Sequence, residues 1–360
     1  MSLSYKNKRV LPKLSSKQVV EENRTYVHKR AKGEIKSLRT KYSKLNRSLM
    51  GGLELDTITC ISALSGAGKS TLSKTFRDSI SDLNKDQDFR QYLINMEMVA
   101  HQQIGRSMVA MTRKSLYDLY SIEKPLSAED LAFLDKYYTE LAARDIQFIE
   151  EPGTAEEIVD SLAAYWETEC KDKGLTMVYE IDHALLTLGL EGQSEKQRVD
   201  ELMYRLVALK KYIVANGGHS VGLVLSQMNR EIRSVDRIRN KDMHKPDTGC
   251  LFGASSIEQC CDYIIFVHMP AMLGIQQYTV DDLPTVMRYE NSDEKIMIPY
   301  FELVKQRSGK MGITIPLINK LHLFDFEEMD KGDFMRLHEA LRLNPGVVPV
   351  LTTTQTLLQL

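Results

Sequence analysis

The stretch ALSGAGKST, Ala63 to Thr71, has the residue types and spacing to hold phosphate. It departs from the template G-x-x-x-x-G-K-[ST] at the first position, where Ala63 stands for Gly. In such a loop the backbone around Ser65, Gly66, Ala67, Gly68, Lys69, Ser70 and Thr71 surrounds the phosphates. A turn running into a helix N-terminus presents unsatisfied N–H donors and the positive end of the helix dipole. Lys69 is placed to reach the β- and γ-phosphates, and the Ser70 hydroxyl to ligate Mg²⁺. Gly66 and Gly68 allow close backbone approach. The ligand this pattern expects is ATP with Mg²⁺.

Hydrolysis needs further groups at neighbouring strand ends. Asp182 closes TMVYEID and can orient the metal; the same residue could instead cap the following turn. Glu180 lies on the same face but deeper in the strand. Glu97 in INMEM can orient or deprotonate water at the sheet edge where α/β ligands sit, or can simply face a helix dipole. Gln227 ends LVLSQ, where an amide can sense the γ-phosphate, or be an ordinary strand-end polar group. After it, NREIRSVDRIRNKDMHKPDTG carries Arg230, Arg233, Arg237, Arg239, Lys241 and Lys245. A cationic loop of this kind suits a nucleic-acid phosphate backbone, or is a solvated charged loop. No aromatic residue interleaves it, so base stacking is not expected.

These positions need a frame. Apolar runs rich in β-branched residues (LDTITCISAL, QYLINMEM, DIQFIEE, LTMVYEID, SVGLVLSQ, CDYIIFVHM, PYFELVKQRSG and the pair within GITIPLINKLHLFDF) read as strands. Helical stretches separate the earlier ones, among them GKSTLSKTFRDSISDL and a long helix from Glu195 to Asn216. Ser127–Asp130 and Thr154–Glu157 spell capping boxes. The alternation predicts an α/β fold, a mostly parallel sheet flanked by helices.

The 360 residues allow one large or two modest domains. Cys60, Cys170, Cys250, Cys260 and Cys261 form no C-x-x-C pair, which fits reduced thiols in a cytoplasmic protein. No apolar run has the length of a membrane span. The net charge of −2 conceals an asymmetry, because residues 1–50 hold 14 Lys/Arg against 3 Asp/Glu. A basic arm on an acidic body is expected to touch nucleic acid or a neighbouring subunit. Four segments are expected: a disordered basic tail over 1–15, a basic arm helix over 16–44, the ATPase domain over 45–330, and a C-terminal helix with a flexible tail over 331–360.

Taken in order, GGLELDTITCISALSGAGKSTL, INMEMVAHQQIGR, MVYEIDHALL, LSQMNR, SSIEQCCDYIIFVHM and KQRSGKMG resemble the motifs of the DnaB-type hexameric replicative helicases, whose ATPase domain is RecA-like. The resemblance spans roughly residues 45–327. That family commonly begins its phosphate loop with Ala. It implies Glu97 as catalytic glutamate, Asp182 as Walker B aspartate and Gln227 as the strand-end glutamine. Lys305 and Arg307 match two basic residues that reach the γ-phosphate of the neighbouring subunit. A homo-oligomer, expected to be a hexamer, on single-stranded or forked DNA follows, with a primase or a helicase loader as partner. Three departures stand out. A stretch of about 50 mostly polar residues with a basic excess stands in place of the family's N-terminal collar domain, which points to a phage or mobile element. His183 stands where Tyr is usual, which suggests packing, and Phe252 replaces a basic residue. Two other readings remain: a RecA-like recombination or annealing ATPase that does not unwind, and an assembly factor that only binds ATP.

Overall fold

The computed structural model describes residues 13–307, 309 and 311–352. The expected disordered tail therefore lies outside the described residues except for 13–15. The chain divides into two units, Met1–Ser37 and Leu38–Leu360. In the first, helix α1 spans Ser16–Ala31 and starts at a capping box between Ser15 and Gln18. No residue of α1 is buried; Val19, Val20, Tyr26 and Val27 are exposed. The arm helix stops well short of residue 44. Leu38, Tyr42, Leu45 and Leu49 belong to the core of the second unit.

The second unit begins with a short helix, α2, Ser43–Ser48. Its strands are β1 Thr57–Ala63, β2 Phe89–Asn95, β3 Ile146–Ile149, β4 Thr176–Asp182, β5 Ser220–Gln227 and β6 Tyr263–His268. Next come β7 Gln277–Tyr278, β8 Leu283–Pro284, β9 Val286–Tyr289 and β10 Ile296–Met297. The last are β11 Tyr300–Gln306, β12 Ile313–Lys320, β13 Asp325–Glu328 and β14 Val350–Leu351. The main sheet has the order β13-β12-β11-β6-β1-β5-β4-β2-β3. From β6 to β3 all neighbours are parallel, while β11, β12 and β13 extend the sheet antiparallel. β1, β4, β5 and β6 are almost wholly buried, as strands covered on both faces must be.

Helices α3 Lys69–Leu83, α4 Ala100–Thr112, α5 Leu116–Tyr120, α6 Ala128–Ala142, α7 Ala155–Tyr165 and α8 Glu195–Ala215 connect the parallel strands. Both expected capping boxes are present, at Ser127 on α6 and Thr154 on α7. The basic segment after β5 holds a short helix, α9 Val235–Arg239, and α10 Ala254–Cys260 precedes β6. All five cysteines are free and buried. Among the described residues no helix is long and apolar enough to cross a membrane.

The expected C-terminal helix is present, but the segment after it differs from expectation. Helix α11, Lys331–Leu343, packs Leu337 into a second core with Tyr278, Met287, Ile298, Tyr300, Ile318, Met329 and Leu351. Residues 350–351, read as part of a flexible tail, pair with β9 and bury Leu351; residues 353–360 lie outside the described residues. Tyr278, Met287 and Ile298 come from residues 270–299, where strands of two to four residues carry no alternation signal.

Candidate functional site

β1 delivers the chain to the C-terminal edge of the sheet, and the turn after it runs directly into α3. Gly66 and Gly68 have φ of +81° and +90°. At Gly68 two constraints coincide, since a Cβ there would lie 2.4 Å from Phe326 and 2.8 Å from Leu321. No side chain caps the α3 N-terminus, so its first amides remain directed at the turn. Ser65 and Gly66 are exposed, Gly68 and Ser70 half-buried, and Ala67, Lys69 and Thr71 buried. The seven residues read as phosphate-binding therefore span the turn after β1, Ser65–Gly68, and the first three residues of α3.

Parallel register brings the other strand ends to the same edge. Ala63 is opposite Gln227, and Asn95 is opposite Asp182. Lys69 Nζ lies 3.4 Å from Asp182 Oδ1, with both side chains buried. Neither atom makes a hydrogen bond among the described residues. Buried charged groups are ordinarily saturated with partners, so an opposed pair short of them fits a phosphate and a divalent cation. Glu180, deeper in β4, instead pairs with Arg77 at 3.4 Å inside the fold, and its burial raises its pKa. That pairing separates it from the edge.

Asn95 Oδ1 accepts from the backbone N–H of Glu97 and Met98 at 3.1 and 2.9 Å, so the end of β2 sets the turn that carries Glu97. Glu97 is half exposed, and its carboxylate is 3.8 Å from His183 Nε2. The same imidazole nitrogen is 3.4 Å from Gln227 Nε2. His183 thus stands between the two side chains, more than the packing residue expected of it. Burial first, then Lys69, lower its pKa to about 4 against the pull of Asp182, which keeps the ring neutral. Arg106 on α4 lies 5.1 Å from the centroid of the Phe324 ring; burial lowers its pKa while Asp182 and Glu97 raise it. Its place in the motif INMEMVAHQQIGR was visible, but only the fold brings it within the field of the two carboxylates.

Lys305 and Arg307 are elsewhere. Gln306 is opposite Tyr263, the first residue of β6, whereas the phosphate loop follows the last residue of β1. Four residues of register separate these rows, roughly 13 Å along the strands. Lys305 donates to the Glu258 carbonyl. Arg307 donates to the Gln259 carbonyl at 2.9 Å and lies 3.4 Å from Asp262. Neither reaches the phosphate loop of its own chain.

The basic segment divides in two. Arg230, Arg233 and Arg239 are exposed and have no ion pair among the described residues. Lys241 pairs with Asp282, and Lys245 donates to Thr314 at 2.7 Å. Arg237, expected to contact DNA, is buried instead. Its guanidinium donates to the carbonyls of Met243 and Lys245, both at 3.1 Å, and to Asp247. A guanidinium with five fixed donors is well suited to close a loop on itself, and here it does so.

The family model for the DnaB-like helicase C terminal domain matches residues 37–328. Two solved structures share the fold, each at 18% identity. One, an ATPase domain, superposes with a TM-score of 0.68 over 86% of this chain and 99% of its own. The other, a DnaB-like replicative helicase described with its interactions with primase, gives 0.66 over 86% of this chain and 66% of its own. No curated protein sequence matches. The fold is RecA-like α/β, and from the family match the chain belongs to the DnaB-like helicase C-terminal domain family, whose members are ATP-hydrolysing DNA helicases.

Proposed function

We propose that this chain forms a ring, a hexamer, that hydrolyses ATP between subunits, moves along single-stranded DNA and separates the duplex during replication. The observation that carries this reading is the division of the site. Lys69, Asp182, Glu97 and Gln227 share one sheet edge, while Lys305 and Arg307 lie at the other. A site that needs both sets takes them from two chains.

On this reading the loop Ser65–Thr71 holds the phosphates, with Lys69 on the β- and γ-phosphate oxygens. Ser70 and Asp182 would hold Mg²⁺, which would supply neutralisation of phosphate charge. Glu97 orients and deprotonates the attacking water, and Gln227 registers the γ-phosphate at the start of the basic segment. Lys305 and Arg307 of one subunit neutralise transition-state charge in the next. The exposed Arg230, Arg233 and Arg239 contact the DNA backbone without reading sequence. The exposed apolar residues of α1 suit docking on a neighbouring subunit. A primase or a loader is the partner class that follows. The place of work is the cytoplasm of a bacterial or phage-infected cell.

The test is strand separation on a forked duplex with ATP and Mg²⁺, comparing wild type with Arg307→Ala. Unwinding by the wild type and its loss in the variant are expected. DNA-stimulated hydrolysis with no unwinding would instead favour the recombination or annealing reading.

A further inference from the structure

β11 carries a carboxylate that the nucleotide site does not use. Glu302 is 1% exposed and sits three residues before Lys305 on the same strand. A buried carboxylate is costly unless its oxygens are bonded, and both are. Tyr278 donates to Oε1 at 2.8 Å and Thr314 donates to Oε2 at 2.7 Å. Each branch continues to the basic segment. Thr314 Oγ1 accepts from Lys245 Nζ at 2.7 Å. The Tyr278 ring stacks on His244, centroids 6.1 Å apart, and His244 Nδ1 accepts from the Thr279 N–H at 3.0 Å. His244 Nε2 is also 3.1 Å from the Ile238 carbonyl in α9. Glu302 is therefore where the basic segment is moored to β11, through two consecutive residues of that segment.

The strand is not uniform beyond this point. The pairing of β11 with β6 shifts register between Leu303 and Lys305, and a bulge lets the following residues be re-aimed. Ahead of the bulge is the mooring; after it are Lys305 and Arg307. Burial pushes the Glu302 carboxyl up to about 7, against Lys245, Thr314 and Tyr278, so the mooring is held against a desolvation cost.

We infer that Glu302 is a positioning residue that couples Lys305 and Arg307 to the basic segment, so that engagement of a neighbour's nucleotide orders this subunit's DNA-facing loop. The inference rests on the trans role of those two side chains proposed above. It differs from the route through Gln227, which reports the subunit's own nucleotide. The physical link is a strand, a chain of hydrogen bonds through Thr314 and Lys245, and a ring stack between Tyr278 and His244, rather than proximity alone.

The experiment follows amide hydrogen exchange of residues 237–250 in the full chain, with and without a slowly hydrolysed ATP analogue and Mg²⁺. Wild type, Glu302→Gln, Thr314→Val, Thr314→Ser and Arg307→Ala are compared, with melting temperature as the folding control. In wild type the analogue slows exchange in this segment about 10-fold. Glu302→Gln, Thr314→Val and Arg307→Ala lose that protection while remaining folded, and Thr314→Ser, which keeps the hydroxyl, restores it. Protection retained in both folded Glu302→Gln and Thr314→Val overturns the coupling, as does a wild type that unwinds forks without showing protection. Should Glu302→Gln fail to fold, the Thr314 pair decides alone. A wild type that shows the protection but unwinds nothing counts against the proposed function and leaves the coupling supported.

Discussion

His183 illustrates how much of the site rests on single side chains. One neutral imidazole nitrogen stands 3.8 Å from Glu97 and 3.4 Å from Gln227, joining the two groups proposed to face the γ-phosphate. Glu97→Gln removes a base and keeps the shape, so ATP turnover is expected to fall ~10²- to 10³-fold. Nucleotide affinity measured by calorimetry should barely change; an unaltered turnover would remove Glu97 from its role. Glu302 gives a prediction in pH. Its carboxyl titrates at about 7 in the folded chain against the usual 4.5, facing Lys245, Tyr278 and Tyr300. Below 4.5 it is protonated folded and unfolded; above that the unfolded chain releases its proton first. Its contribution is thus whole at acid pH and lost as pH rises towards 7, by up to about 3 kcal/mol. The stability of wild type relative to Glu302→Gln should fall across that window in denaturant titrations, and a flat difference would exclude the raised pKa.

At the scale of elements, the basic segment is a folded unit with an inside and an outside. Arg237 bonds three groups of its own loop, so Arg237→Ala takes the donor from two part-buried carbonyls and from Asp247. The expected loss is about 1–3 kcal/mol, seen as a lower melting temperature. Arg233→Ala should leave melting unchanged and reduce the salt dependence of single-strand binding by about 0.7 in log–log slope. If Arg233→Ala destabilises and Arg237→Ala does not, the assignment of inside and outside is reversed. Sequence showed both as arginines in a polar loop. Nothing local marks the one whose partners lie six to ten residues onward.

For the whole molecule, the separation of Lys305 and Arg307 from Lys69 makes a prediction that no single chain could meet. Lys69→Ala and Arg307→Ala subunits should each be inactive alone. Mixed, they rebuild an intact site wherever a normal Lys69 meets a normal Arg307, at about a quarter of interfaces. Recovery of ATP turnover on mixing would confirm the shared site, and none would refute it. Removing residues 1–37 separates the two roles open to α1. Loss of the oligomer in native mass spectrometry places the arm on a neighbouring subunit. A retained oligomer with weaker, less salt-dependent DNA binding places it on nucleic acid.

The sequence by itself determined the parallel-sheet class, the glycine-containing turn between β1 and α3 and the strand ends at Asp182 and Gln227, because each rests on short-range patterns; Glu97, expected to end β2, lies in the turn two residues beyond it. A loop motif is contiguous, and β-strand periodicity is written in adjacent residues. The structure decided what depends on register and long-range packing. It set His183 between Glu97 and Gln227, turned Arg237 into its own loop, and assembled a second core from residues 270–299 and the C-terminal segment. It also put Glu302 in contact with residues 24 and 12 positions away, Tyr278 and Thr314. Such pairs are chosen by which surfaces exclude water together once the sheet has closed, and no local pattern in the chain encodes that choice.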